Sequence, residues 1–234
     1  KSILKMENYD LIDKFEGILA ENIDEWEQVH QTVRGQESFT LWRKDKTVDG
    51  TPLGPRETYF RVKCTFANVE PEVAFSCFSQ SDKRKNWDTR MRDYVTLEDR
   101  GVDLIKYFIV KSNVMLVQDR DVLIRQQVRE NYPEPGQFIL ANVSTEHDTQ
   151  PVVPAYIRST IKIQGYKFVP APDVKGVTIE WVQDLDVHGA MPACIFRGAS
   201  VRMHTKLNDI LKRTLDEEQE SVSSGRNSAG VNDA

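Results

Sequence analysis

Between residues 91 and 187 six stretches of strand character follow one another with no helical stretch between them, and this order constrains the fold more than any other feature. They read MRDYVTLE, VDLIKYFIV, RDVLIRQQVRE, QFILANVSTE, AYIRSTIKIQGYKFV and VTIEWVQDLDV, rich in the β-branched and aromatic residues that suit a pleated surface. Asp99-Arg100-Gly101, Tyr132-Pro133-Glu134-Pro135-Gly136 and Pro170-Ala171-Pro172 supply turn chemistry between several of them. Parallel strands need long crossovers, usually helical, and none is present here, so the sheet is expected to be antiparallel. Three more strands precede these: WEQVHQTV (26–33) and ESFTLWR (37–43), a hairpin around Gly35, and TYFRVKCTF (58–66) after the loop DGTPLGP.

Helices bracket the strands. Leu11, Ile12, Phe15, Ile18 and Leu19 recur at helical spacing within residues 8–21, which predicts an amphipathic helix packed on the outside of the domain. A second helix is expected from about Pro71, and a last one from near Pro192, with Phe196, Ala199, Met203, Leu207, Ile210 and Leu211 on one face. The class is α+β: a curved antiparallel sheet of about nine strands around a C-terminal helix. One domain over residues 23–215 is expected, with residues 1–22 as its N-terminal helix and 216–234, which lose apolar content, as a disordered tail. The space beneath the last helix is a candidate cavity, with Val95, Leu104, Ile109, Ile124, Ile139, Ile161 and Val182 as candidate wall residues.

Charge and cysteine content narrow the function. A formal net charge of -5 with a pI near 5.5 argues against a general nucleic-acid binder. Cys64, Cys77 and Cys194 are odd in number and far apart, which suggests neither a disulfide framework nor a metal site and fits a reducing cytosol. No apolar run is long enough to cross a membrane and no signal-peptide pattern opens the chain, so a cytoplasmic protein is expected. Lys1 in place of an initiator methionine fits a processed product or a piece of something longer. The Asn142-Val143-Ser144 triplet matches a glycosylation sequon and is read as coincidence in such a chain.

Motifs of catalysis are missing: there is no GxSxG, Walker loop, GxGxxG, HExxH or EF-hand pattern. His30, His147, His188 and His204 lie far from one another, so a binder without cofactor or metal is expected rather than an enzyme.

Two stretches carry the binding signal. In SDKRKNWDTRM (81–91), a continuous helix from Pro71 would put Arg84, Lys85 and Asp88 in line with the face of Val73, Ala74, Cys77 and Phe78, while Lys83 points away. Arg84 and Asp88 stand at the i, i+4 spacing of an ion pair, and an inward guanidinium needs such a partner or an anion. The alternative is a kink near Ser79–Asp82, a second short helix from Ser81, and charges that are simply solvated. The second stretch, between two strands, holds four consecutive apolar residues, Val114, Met115, Leu116 and Val117. They either cover a cavity mouth or a membrane surface, or fold back into the core.

These motifs resemble the steroidogenic-acute-regulatory-related lipid transfer (START) domain from about Trp26 to Leu215. The signals are RKNWD (84–88), RDVLIR (120–125), NVSTEHD (142–148) before Tyr156-Ile157-Arg158, and GAMP (189–192) before the last helix. The resemblance implies a helix-grip fold whose terminal helix is a lid over one lipid, and it is nearest in look to the phosphatidylcholine- and ceramide-transferring branch. It implies that Arg84 holds a lipid phosphate with Asp88 beside it, and that Phe108 walls a choline site in which Val122 stands where a second aromatic would be. From the ceramide pattern it implies Glu98 as a matching glutamate, with Asp119, Lys162 and His204 at the other three polar positions. Gln126 lies near the place of an arginine used by sterol-binding members. An anionic head could use Arg84 with Lys162, so a phospholipid is the expected ligand. Met203 and Leu207 would belong to the lid, and residues 114–117 to the entry loop. The expected partners are one lipid and, transiently, a membrane surface, with the protein a monomer. A lipid-sensing module of a larger protein and a helix-grip hydrolase or cyclase using His204 or a pocket carboxylate are the alternatives.

Overall fold

The computed structural model describes residues 10–47, 56–112, 118–186, 188 and 193–225. Helix α1 (Leu11–Leu19) leads into strands β1 (Glu27–Arg34), β2 (Glu37–Thr47) and β3 (Arg56–Ala67), then helices α2 (Pro71–Ser79) and α3 (Ser81–Trp87). Strands β4 (Met91–Asp99), β5 (Asp103–Val110), β6 (Arg120–Glu130), β7 (Phe138–Ser144), β8 (Ile157–Arg158), β9 (Thr160–Pro170) and β10 (Gly176–Asp186) follow, and helix α4 (Ala193–Ser223) closes the chain. The strands form one curved sheet in the order β1-β2-β3-β10-β9-β7-β6-β5-β4, antiparallel throughout except where β8 pairs with β6. This is the helix-grip fold. The expected AYIRSTIKIQGYKFV strand divides at Ser159, because β8 joins the start of β6 whereas β9 lies between β7 and β10. That division brings the strands to ten among the described residues.

The central strands are covered on both faces, which explains why FILANV reads as nearly continuous apolar sequence. Phe138 and Leu140 of β7 join Tyr166, Phe168, Ile179 and Trp181 on the inner face. Their neighbours Ile139 and Ala141 face outward, with Ile163 and Val182, under Leu11, Ile12 and Phe15 of α1. Docking of α1 depends on Gly165, where a Cβ would lie 2.3 Å from the Phe15 ring. Asp10 caps α1 by accepting from the Ile12 amide, and the Leu11 amide donates to Gln127 Oε1 at 2.7 Å.

Several expectations shift. Ile139 and Val182 pack against α1 and Val95 is 48% exposed, so these do not wall the inner space; Ile124 and Ile161 do pack on the inner side with Phe108. The helix expected to fade at Leu215 continues to Ser223. Its last turns are held from outside: Gln219 Oε1 accepts from the Glu70 amide at 2.9 Å, and Glu218 pairs with Lys83 at 2.7 Å. Lys83 is therefore a link between α3 and α4 rather than a free surface charge.

Candidate functional site

The site is built around the break between α2 and α3. The helix does not run on from Pro71: Gln80 takes an extended ψ of 130°, and α3 restarts at Ser81. The kink leaves Lys85, expected on the inward face, exposed to solvent, but it does not solvate Arg84 or Asp88. Trp87 Nε1 donates to the Cys77 carbonyl at 2.8 Å and its ring meets Phe78 at 4.6 Å, which folds α3 back on α2 and turns Arg84 inward. Arg84 is 6% exposed and Asp88 is fully buried.

Aromatic rings surround the Arg84 guanidinium, with Trp87, Phe78 and Tyr166 centred 4.0, 4.9 and 5.4 Å from its Cζ. One of its nitrogens donates to the Tyr166 hydroxyl at 3.3 Å, and the same nitrogen stands 3.5 Å from Asp88. Nε is buried without a partner. Asp88 is bound more closely by Arg90, whose Nε and Nη2 meet its two oxygens at 2.9 Å each. Burial works against the Asp88 carboxylate, but the Arg90 guanidinium outweighs it, and the acid sits below its usual range. Arg90 is thus the principal partner of Asp88.

Arg84 borders a cleft between the inner face of the sheet and the α2–α3 corner. Phe78, Tyr94, Phe108, Ile124, Leu140 and Tyr166 give it apolar walls. Its polar lining is a ladder of amides across three strands: Gln126 Nε2 donates to Asn142 Oδ1 at 2.8 Å, and Asn142 Nδ2 to Gln164 Oε1 at 3.1 Å. Gln126 Oε1 is buried with no donor. The free volume is about 10 Å³ among the described residues, room for about one water molecule. A larger ligand requires the walls to move apart.

Lys106 was not singled out by sequence reasoning. It is 2% exposed on β5, opposite Ile124 and two residues from Phe108, on the same face of the sheet as the cleft but outside the residues that line it. Its ammonium donates to the Ser79 carbonyl at 2.8 Å and lies 5.5 Å from the Tyr94 ring centre. Burial and then the nearby Arg84 charge bring its pKa down to about 8. Burial also pushes the Tyr94 hydroxyl up to about 12, against the pull of Arg84. The signal was present: alternation puts Lys106 in phase with Phe108 in an otherwise apolar run. Asn142, set aside as part of a chance sequon, is 3% exposed and bonded at both ends of its amide.

Of the expected site residues, Arg84, Phe108 and Gln126 line the cleft, and Asp88 lies buried beside it. The others stand apart from it. Glu98 is held among His147 and Arg100 near the surface, the His147 hydrogen bond chiefly keeping its carboxyl below the usual range. Asp119 accepts from Arg92 at 3.0 Å and from the Ser112 amide at 3.1 Å. Lys162 is half-buried on β9, outside the lining residues. His204 is buried on α4, 5.1 Å from the Phe60 ring and 6.0 Å from Trp181. Leu207 of α4 is buried, and Met203 offers its sulfur to Arg90. Val114, Met115, Leu116 and Val117 lie outside the described residues, as does the GAMP segment. No helix among the described residues is long and apolar enough to cross a membrane.

A START domain family model matches residues 60–221, more than half of the chain. The chain belongs to the START domain family. Among curated proteins, the START chain is 23% identical over 209 residues to a ceramide transfer protein of Cricetulus griseus, covering 82% of this chain and 33% of that protein. It spans about a third of the length of the curated relatives it matches. Among solved structures, human STARD10 superposes with a TM-score of 0.75 at 15% identity, covering 91% of this START chain and 82% of the other. Human StAR-related lipid transfer protein 5 gives 0.72 at 16% identity, covering 88% and 93%. These two likenesses establish the shared fold.

Proposed function

We propose that the chain binds a single phospholipid between the inner face of its sheet and α4, with the phosphate on Arg84, and carries it between membranes without chemical change. The observation that carries this reading is a guanidinium almost wholly buried among aromatic rings at the cleft, its Nε without a partner and its nearest carboxylate claimed by another arginine. Buried charge of this kind is costly unless a counter-charge arrives. Membership in the START family and the lipid transfer names of its relatives support a lipid as the ligand.

The curated relatives are ceramide transfer proteins, which makes ceramide the competing ligand. Its head offers an amide and hydroxyls but no anion, and it would leave Arg84 uncompensated here. Two acyl chains with roughly 30 methylene groups at about 0.8 kcal/mol each demand an apolar space of their own size. The cleft must therefore widen on loading. Leu211 and Leu215 are fully buried and Lys83–Glu218 ties the far end of α4, so widening is expected at the N-terminal half of that helix. Native mass spectrometry of purified protein, paired with transfer of labelled phosphatidylcholine and phosphatidic acid between vesicles, tests the reading. A bound phospholipid mass and measurable transfer are expected; a protein that neither retains nor moves lipid overturns it.

A further inference from the structure

The cleft and its border, where Lys106 lies behind the lining residue Tyr94, hold more positive charge than the nearby carboxylate neutralises. Arg84 and Lys106 are 6% and 2% exposed, yet the buried Asp88 has both oxygens engaged by Arg90 at 2.9 Å, with Arg84 only at 3.5 Å. Lys106 meets a carbonyl dipole at Ser79 and the face of Tyr94, not an acid. Asp99, the acid whose charge acts on it, is itself exposed to water. A zwitterionic head with a phosphate diester brings one negative charge to this pair and a positive charge with it. A phosphate monoester carries about -1.5 to -2 at neutral pH and three acceptor oxygens, enough for both cations.

We propose that the cleft selects a lipid whose head is a phosphate monoester, with Lys106 as the second cation that holds it beside Arg84. This rests on the phospholipid reading above and names the head group within it. Lys106 sets the preference because Arg84 serves any phosphate, whereas the second negative charge needs a second buried partner. Charge-assisted hydrogen bonds to a monoester contribute roughly a tenfold discrimination or more.

The test compares delipidated full chain binding fluorescent phosphatidic acid and phosphatidylcholine of identical acyl chains, with glycerol 3-phosphate as a competitor. Wild type is expected to favour phosphatidic acid by roughly tenfold, and glycerol 3-phosphate at equal concentration to displace neither lipid. In Lys106→Met the ratio of phosphatidic acid to phosphatidylcholine affinity is expected to fall about tenfold, whereas Lys106→Arg keeps the preference. Equal wild-type affinity for the two lipids overturns the head-group proposal and leaves the phospholipid reading standing. Binding of neither lipid overturns both. Displacement by glycerol 3-phosphate as effective as by phosphatidic acid shows a site for soluble phosphate and overturns lipid selection. Should Lys106→Met fail to fold, the wild-type ratio and Lys106→Arg still decide the matter.

Discussion

Beside Leu211 and Leu215 of α4, the inner space is filled by side chains that need no further partner. Phe75 stacks on Phe138 at 4.9 Å, Phe78 meets Phe168 edge-on at 5.1 Å, and both leucines are fully buried. Around Arg84, on the same face of the same sheet, polar and charged groups are buried among aromatic rings, and two of their atoms lack partners, Arg84 Nε and Gln126 Oε1, while the Lys106 ammonium meets a carbonyl rather than an acid. Folded proteins satisfy nearly all buried polar groups, and these two are among seven unsatisfied buried side-chain atoms of the described residues; what sets the cleft apart is that a buried guanidinium is one of them and a second buried cation lies near it. The packed region holds the fold together. The cleft leaves a requirement that a bound anion would fulfil.

Breaking the packed side should cost the most. Phe168→Ala removes a fully buried ring from the Phe78 and Phe75 contacts, with an expected loss of about 4 kcal/mol in urea unfolding. Lys106 works in the opposite direction. Its pKa falls from 10.5 unfolded to about 8 folded, so the folded state disfavours the ammonium. Below pH 8 both states hold the proton and the full penalty of about 3 kcal/mol applies; between 8 and 10.5 the unfolded chain binds more protons, and stability rises. Lipid-free Lys106→Met should therefore be more stable than wild type near pH 7, with the difference closing by about pH 10.5. Thermal melts of the two proteins across this range check it, and a constant difference would contradict the buried ammonium.

Arg90→Met sharpens the contrast between the two arginines. It strips Asp88 of its two 2.9 Å bonds while leaving Arg84 near, and a loss of about 2 kcal/mol is expected in urea unfolding. The smallest effect is at the half-exposed link between α3 and α4. Glu218→Ala breaks the 2.7 Å pair with Lys83 and should change stability by less than about 1 kcal/mol, measured the same way.

The fold was legible from particular features: the uninterrupted run of strands after residue 91, Gly35 between β1 and β2, and the α1 periodicity that Phe15 and Gly165 explain. The site was legible only in part. Helical phase pointed Arg84 inward, and it is inward, but through a kink at Gln80 and a Trp87 bond to the Cys77 carbonyl that phase alone does not encode. Glu98, Asp119 and Lys162 were proposed by position in a family pattern, yet strand register gives each of them other surroundings. Arg90 and Lys106 were missed because pairing is a matter of three dimensions. Arg90 is two residues from Asp88 and reads as surface, and Lys106 is a single charge in an apolar strand whose partners come from α2 and β4.

Arg84 as the anchor of a bound phospholipid is most directly tested by native mass spectrometry of wild type and Arg84→Met purified side by side. Arg84→Met leaves Asp88 with Arg90 and replaces a costly buried charge by an apolar chain of similar length, so the fold should survive. Wild type is expected to carry a phospholipid mass that the variant has lost while remaining folded by circular dichroism. A folded Arg84→Met that keeps the same lipid, or a wild type that carries none, would contradict it.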